Sequence, residues 1–267
     1  MSGFDESLLP ENYAICTDNP WHPQENKNNV LILLEPEVIG HLRGPTIQNI
    51  DKFHTVYTCD EEILARFPEK ARRYLGCSGS WAKDASLASS PKEFKFSSVT
   101  GTKCFPGVPG HALRHQLYFN QAAFPNNFVF FRSGAGEPLQ EIGINPILPY
   151  KEEGGWGSGK EHLFDGFQFS IVIENTQQKN FFTEKILDCL IFKTIPIYWG
   201  CPNIGEFFDT TGWIFFQSGQ DLLKQIASLD AGYYERHSDT VNKNHEEALK
   251  YQNFYDSFNR QAREYQS

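Results

Sequence analysis

Short apolar runs separated by helical stretches set the layout of this chain. Asn29 to Glu35 reads NVLILLE, a continuous apolar run suited to a buried parallel strand, and Pro36 stops it. HTVYT at 54–58 predicts a second strand. Asp60, Glu61 and Glu62 then suit the positive first turn of a helix through EEILARF. Residues 1–28 are polar and rich in Pro and Asn, and no element is predicted there. From Gly76 to Lys92 the composition turns to Gly, Ser, Ala and Pro around Trp81, which reads as a linker between two halves.

The pattern then restarts. Strand FKFSSVT at 94–100 leads through the loop GVPG at 107–110 to a helix beginning near His111, and NFVFFRS at 127–133 is the next strand. A long loop ends in GGWGSG at 154–159, strand FQFSIVI at 167–173 follows, and a helix is predicted over NFFTEKILDCLIF at 180–192. TIPIYWG at 194–200 and Trp213 to Phe216 supply the last strands, and Leu222 to Gln266 is helical in composition with a break near Gly232. Strands alternating with helices predict βαβ units and mostly parallel sheets, hence an α/β fold of two small domains. The boundaries read as 1–92, 93–235 and a C-terminal helix over 236–267 that packs back on the first domain.

Composition narrows the function classes. With 24 basic against 33 acidic residues the 267-residue chain carries a net charge of −9, and no long basic cluster marks a nucleic-acid or anionic-membrane surface. The six cysteines form no C-x-x-C pair, so buried reduced thiols are expected and neither a zinc knuckle nor a disulfide framework. No apolar run is long enough to span a bilayer, the N-terminus lacks a leader pattern, and no N-x-S/T sequon occurs. These features together predict a soluble, cytoplasmic protein without a transmembrane segment.

Candidate chemistry concentrates where strand 167–173 meets the following helix, because ligands of open α/β sheets sit beyond the carboxyl ends of strands. Glu174, Asn175 and Thr176 occupy that position, and Lys185 could reach a phosphate held at the helix N-terminus. Pattern alone equally allows Glu184 and Lys185 to be solvated charges on a surface helix. Gly154 to Glu161, GGWGSGKE, comes within one residue of the phosphate-loop pattern, but Glu161 replaces the hydroxyl that would hold magnesium. The stretch reads better as a Gly-rich loop, either closing over a ligand or lying plainly on the surface. His111 and His115 stand four apart, a spacing that can share a metal, though surface histidines are the simpler expectation. Trp81 and Trp156 are candidate sugar platforms among aromatics that mostly fill cores.

The stretch FQFSIVIENTQQKNFFTEKILDCLIFKTIPIYWGCPNI, 167–204, resembles the signature of glycosyltransferase family 10, the α-1,3/4-fucosyltransferases. IENT at 173–176 stands for F-E-N-S, FFTEK at 181–185 for Y-V-T-E-K, and TIPIYWG for the closing strand. Upstream, GHALRHQLY resembles the helix that carries the family's phosphate-binding arginine, and LLEPEV at 33–38 the strand that ends in its catalytic base. The resemblance implies two Rossmann-like domains facing a cleft, the GT-B type, with the acceptor domain first. It implies an inverting, metal-independent transfer of fucose from GDP-fucose to a glycan hydroxyl. No cofactor is called for, since the nucleotide-sugar is a substrate, and D-x-D pairs are absent from the sequence. By the same resemblance Glu35 is the base, with Glu37 as its rival. Arg114 and Lys185 then bind the diphosphate, Asn175 and Glu184 the sugar and ribose hydroxyls, and Phe182 stands beside the donor in place of the family's tyrosine. Another donor, GDP-mannose or a UDP-sugar, and a non-catalytic binding relative are the alternatives.

Overall fold

The computed structural model describes residues 3–77, 79–81, 88, 90–134, 136–148 and 159–265. Two separate sheets, every strand pair parallel, organise the chain. The first contains β1 (Tyr13–Thr17), β2 (Asn28–Ile32), β3 (Phe53–Thr58) and β4 (Ala71–Arg73) in sequential order. Its two faces follow the alternation of β2. Leu31 and Leu33 join Leu42, Ile50, Val56 and Ile63 on the side of the helices α2 (Arg43–Gln48) and α3 (Glu61–Arg66), while α1 (Glu37–Gly40) follows β2. Val30 and Ile32 join Tyr57 and Tyr74 on the other, where Phe258 and Ala262 of the final helix α9 (Phe254–Arg263) cover them.

The second sheet holds β5 (Glu93–Thr100), β6 (Phe128–Arg132), β7 (Phe167–Ile173), β8 (Ile195–Trp199) and β9 (Ile214–Phe215) in the order β6-β5-β7-β8-β9. Helices α4 (Pro109–Phe119) and α6 (Gly219–Ile226) pack on one face through Leu113, Leu117, Leu222 and Ile226. On the other lie α5 (Glu184–Ile191) and α8 (Ser238–Leu249), through Ile186, Leu187, Leu190 and Ala248. Short α7 (Tyr233–Arg236) precedes α8. Every residue of β7 is buried, which explains why its sequence is apolar throughout instead of alternating.

Several expectations change. Residues 1–28 contain β1, whose run YAICT is long enough to pair with β2 although it is flanked by Pro and Asn. Strand β2 ends at Ile32, three residues before Glu35. Helix α5 starts at Glu184 and not at residue 180, because Asn180 takes a left-handed φ of 62° and Thr183 caps the helix, its hydroxyl accepting from the Lys185 amide. Five of the six cysteines are buried, as expected of thiols, while Cys104 is exposed. Among the described residues no helix is long and apolar enough to cross a membrane.

Candidate active site

The order of the second sheet reverses between β5 and β7, the topological switch point at which open α/β sheets form a crevice. Helix α4, which follows β5, starts against the end of β7. Its Gly110 donates its N–H to the Asn175 carbonyl at 3.1 Å, and a Cβ at Gly110 would lie 1.8 Å from the Glu174 carbonyl oxygen. Only glycine permits that approach. It brings Arg114, one turn on, to Asn175, with Arg114 Nη2 donating to Asn175 Oδ1 at 2.6 Å and Nε to the Gly110 carbonyl at 3.1 Å.

Glu174 and the start of α5 complete the cluster. Glu174 is fully buried and accepts from the Thr183 amide (2.9 Å) and hydroxyl (2.8 Å), with Lys185 Nζ 3.7 Å from Oε2. Lys185 Nζ donates to Glu184 Oε1 and to Thr183 Oγ1, each at 3.1 Å. Glu184 is 6% exposed and Asp188 is sealed, so the solvated-face reading of this helix is overturned. Lys160 explains both burials: its Nζ lies 3.4 Å from Glu184 Oε1 and 3.2 Å from Asp188 Oδ2. Asp188 Oδ1 also accepts from Ser80 Oγ at 2.7 Å and from the Trp81 amide at 2.9 Å.

Three carboxylates, Glu174, Glu184 and Asp188, therefore face two ammonium groups, Lys160 and Lys185, while Arg114 is held by Asn175 and the Gly110 carbonyl. Buried charges persist only when paired in this way. Burial acts to raise the Glu184 pKa, but Lys185 and Lys160 outweigh it and bring it down to about 2. Burial acts to lower Lys185, and Glu184 with Glu174 outweigh it and hold the ammonium above the ordinary lysine range. Glu174 moves the other way, raised chiefly by burial. Two cations, Arg114 and Lys185, thus stand at the carboxyl end of the central strand, held by Asn175, Thr183, Glu174 and Glu184.

The carboxyl edges of the two sheets meet here. Glu61, at the start of α3, pairs with Lys179 at 2.8 Å and accepts from Asn180 Nδ2 at 3.3 Å, and Gln178 Nε2 reaches Cys59 Sγ at 3.5 Å. Glu35 projects at this edge, and the charges of Lys185 and Glu184 act on its carboxyl. Dehydration at the joint raises its pKa, Asp18 and Glu184 push the same way, and Lys185 and Lys103 oppose them. Much of the residue stays open to solvent, so a second molecule can reach it. Among the described residues its carboxylate accepts no hydrogen bond. Glu37 differs: its Oε2 accepts from the Arg43 amide at 2.8 Å, which ties it to the start of α2.

The structure places Phe182 in a hydrophobic core cluster. Its ring is fully buried against Phe207, Phe208 and Tyr251. Counting back from Thr183, the first aromatic of FFTEK is Phe181, which packs with Cys59 and Cys77. The histidine pair is also accounted for: His111 Nδ1 accepts from the Phe105 amide at 3.2 Å, and His115 Nε2 bonds the Gly101 carbonyl at 2.9 Å. Burial and nearby Arg114 and Lys185 lower His111 to about 4, so it is neutral near pH 7. Among the described residues no group of three or more His, Cys, Asp or Glu side chains is placed to hold a metal. The Trp81 ring is faced by Lys160 Nζ at 4.7 Å from its centre. Trp156 and the loop through residue 158 lie outside the described residues. The sequence pattern does not mark Asp18, Lys160 or Asp188 as site residues. Their local signals are a short apolar run before Asp18 and a lysine that ends a Gly-rich stretch.

No protein-family model matches the chain. A match over 82 aligned positions, covering 28% of this chain and 17% of the other protein, is 29% identical to the alpha-(1,3)-fucosyltransferase FucT of Helicobacter pylori. In three dimensions the chain is similar to an alpha1,3-fucosyltransferase solved with GDP, with a TM-score of 0.51 at 19% identity, covering 87% of this chain and 69% of that one. It is equally similar to TarM, with a TM-score of 0.53 at 14% identity, covering 90% of this chain and 52% of that one. The chain thus carries a segment distantly homologous to the α-1,3-fucosyltransferases of glycosyltransferase family 10, within a two-sheet fold of the GT-B glycosyltransferase type.

Proposed function

We propose that this protein is an inverting fucosyltransferase that moves fucose from GDP-fucose to a hydroxyl of a glycan without a metal ion. The observation that carries this reading is the juxtaposition of Arg114 and Lys185 at the β5/β7 switch point with Glu35 across the joint between the sheets. Arg114 and Lys185 bind the diphosphate, Asn175 and Glu184 accept from hydroxyls of the donor, and the half with the first sheet, finished by α9, takes the acceptor. Glu35 removes the acceptor proton as the hydroxyl oxygen attacks the anomeric carbon. The bond to the diphosphate breaks on the opposite face, and the charge arriving on the leaving oxygen meets the two fixed cations. A cytoplasmic setting belongs to this reading, and the unpaired cysteines support it.

A thermal-shift series with GDP, UDP, ADP and CMP tests the donor. GDP raises the melting temperature most, since a ligand at 100 times its dissociation constant adds about 2.7 kcal/mol to the folded state. A larger shift with UDP moves the assignment to a UDP-sugar on the same fold. Lys185→Ala weakens GDP binding about tenfold or more, the loss of one charge-assisted contact. It also lowers kcat, because the contact strengthens as the leaving group gains charge. Calorimetry and steady-state rates check both effects, and unchanged values remove Lys185 from the diphosphate site.

A further inference from the structure

The peptide that carries Glu35 is held by a residue that follows the neighbouring strand, β1. Asp18 follows β1 with a left-handed φ of 47°, and its N–H donates to the Ile32 carbonyl at 3.0 Å, at the end of β2. From there its Oδ1 accepts from the amides of Leu34 at 2.7 Å and Glu35 at 3.2 Å. Strand β2 has already ended at Ile32, so these two amides have left the strand and Asp18 supplies their acceptor. The same carboxylate is the like charge that acts most strongly on Glu35.

We propose that Asp18 is a positioning residue for Glu35, fixing the peptide that bears it and setting the charge around its carboxylate. The inference rests on the reading of Glu35 as the base. Other charged groups act on Glu35 as well, with Lys185 and Lys103 opposing Asp18 and Glu184 acting with it. Removing Asp18's charge leaves the two cations less opposed, so Glu35 gives up its proton at lower pH and becomes a weaker base.

Asn is the informative replacement, because its side-chain oxygen can keep both amide bonds and it tolerates the left-handed backbone. In Asp18→Asn the Glu35 carboxyl, followed by carbon-13 NMR and assigned by its disappearance in Glu35→Gln, titrates about half a pH unit lower or more. The acid limb of the pH–kcat profile moves the same way while KM for the donor stays unchanged. Asp18→Gly accepts the backbone angle but loses both bonds, and kcat falls roughly 10²-fold from misplacement of the base. Melting temperatures of both variants accompany the rates. An unmoved Glu35 titration in Asp18→Asn together with wild-type kcat in Asp18→Gly overturns the proposal. Full turnover by Glu35→Gln overturns instead the reading on which it rests, and the NMR titration separates the two outcomes because it needs no substrate.

Discussion

Glu35→Gln loses roughly 10²–10⁴ in turnover, the usual worth of a general base, while its fold and its GDP affinity stay those of the wild type. Glutamine matches the size of the side chain but cannot accept the acceptor's proton. Because Glu35 is open on one side and its carboxylate accepts no hydrogen bond among the described residues, little of the fold depends on it. Glu37→Gln keeps most of the turnover, since the Glu37 carboxylate is occupied by the Arg43 amide at 2.8 Å. Its cost falls on the start of α2. Paired steady-state assays on the two variants decide the matter, and a dead Glu37→Gln beside an active Glu35→Gln reverses the assignment.

Gly110→Ala acts on the joint between α4 and β7. The added carbon would sit 1.8 Å from the Glu174 carbonyl oxygen and 3.0 Å from the Asn175 carbonyl carbon, both backbone atoms that cannot rotate away. The helix must lift, and Arg114 leaves Asn175 as it does. Overpacking of this kind costs about 1–3 kcal/mol, a fall of roughly 2–6 °C in melting temperature for a chain of this size. GDP no longer shifts the remaining transition. Gly3→Ala is the control, since nothing lies within 4 Å of a Cβ there and the residue is exposed. Wild-type melting and GDP response in Gly110→Ala would mean that the close approach does not hold Arg114 in place.

How far the sequence reveals this site depends on how local each feature is. Strand β7 is legible because burial on both faces leaves a continuous apolar run, and Glu174, Asn175 and Thr183 to Lys185 are legible because they fall within twelve consecutive residues. Asp188 is not. Its burial depends on Ser80, Trp81 and Lys160, which lie 108, 107 and 28 positions away, and a charged residue on a helix otherwise reads as solvated. Strand β4 is three residues, ARR, held by backbone pairing with β3, so no side-chain pattern marks it. Glu35 and Glu37 look equivalent in the sequence LLEPEV. They part because Glu37 opens α1 while Glu35 remains in the turn that Asp18 holds.

The cover that α9 gives the first sheet sets an order of assembly. Tyr57 meets Phe258 with ring centres 4.7 Å apart, Gln261 exchanges two hydrogen bonds of 2.9 Å with the backbone of Leu75, and Asp5 pairs with Arg263 at 2.7 Å. During synthesis the residues of β1 to β4 emerge first, yet one apolar face of their sheet stays bare until residues 254–263 have been made. The second sheet draws its strands and covering helices from one continuous stretch and can close earlier. The half translated first is therefore completed last, and until then Val30, Ile32, Tyr57 and Tyr74 are the surface on which a chaperone would act or an aggregate would begin.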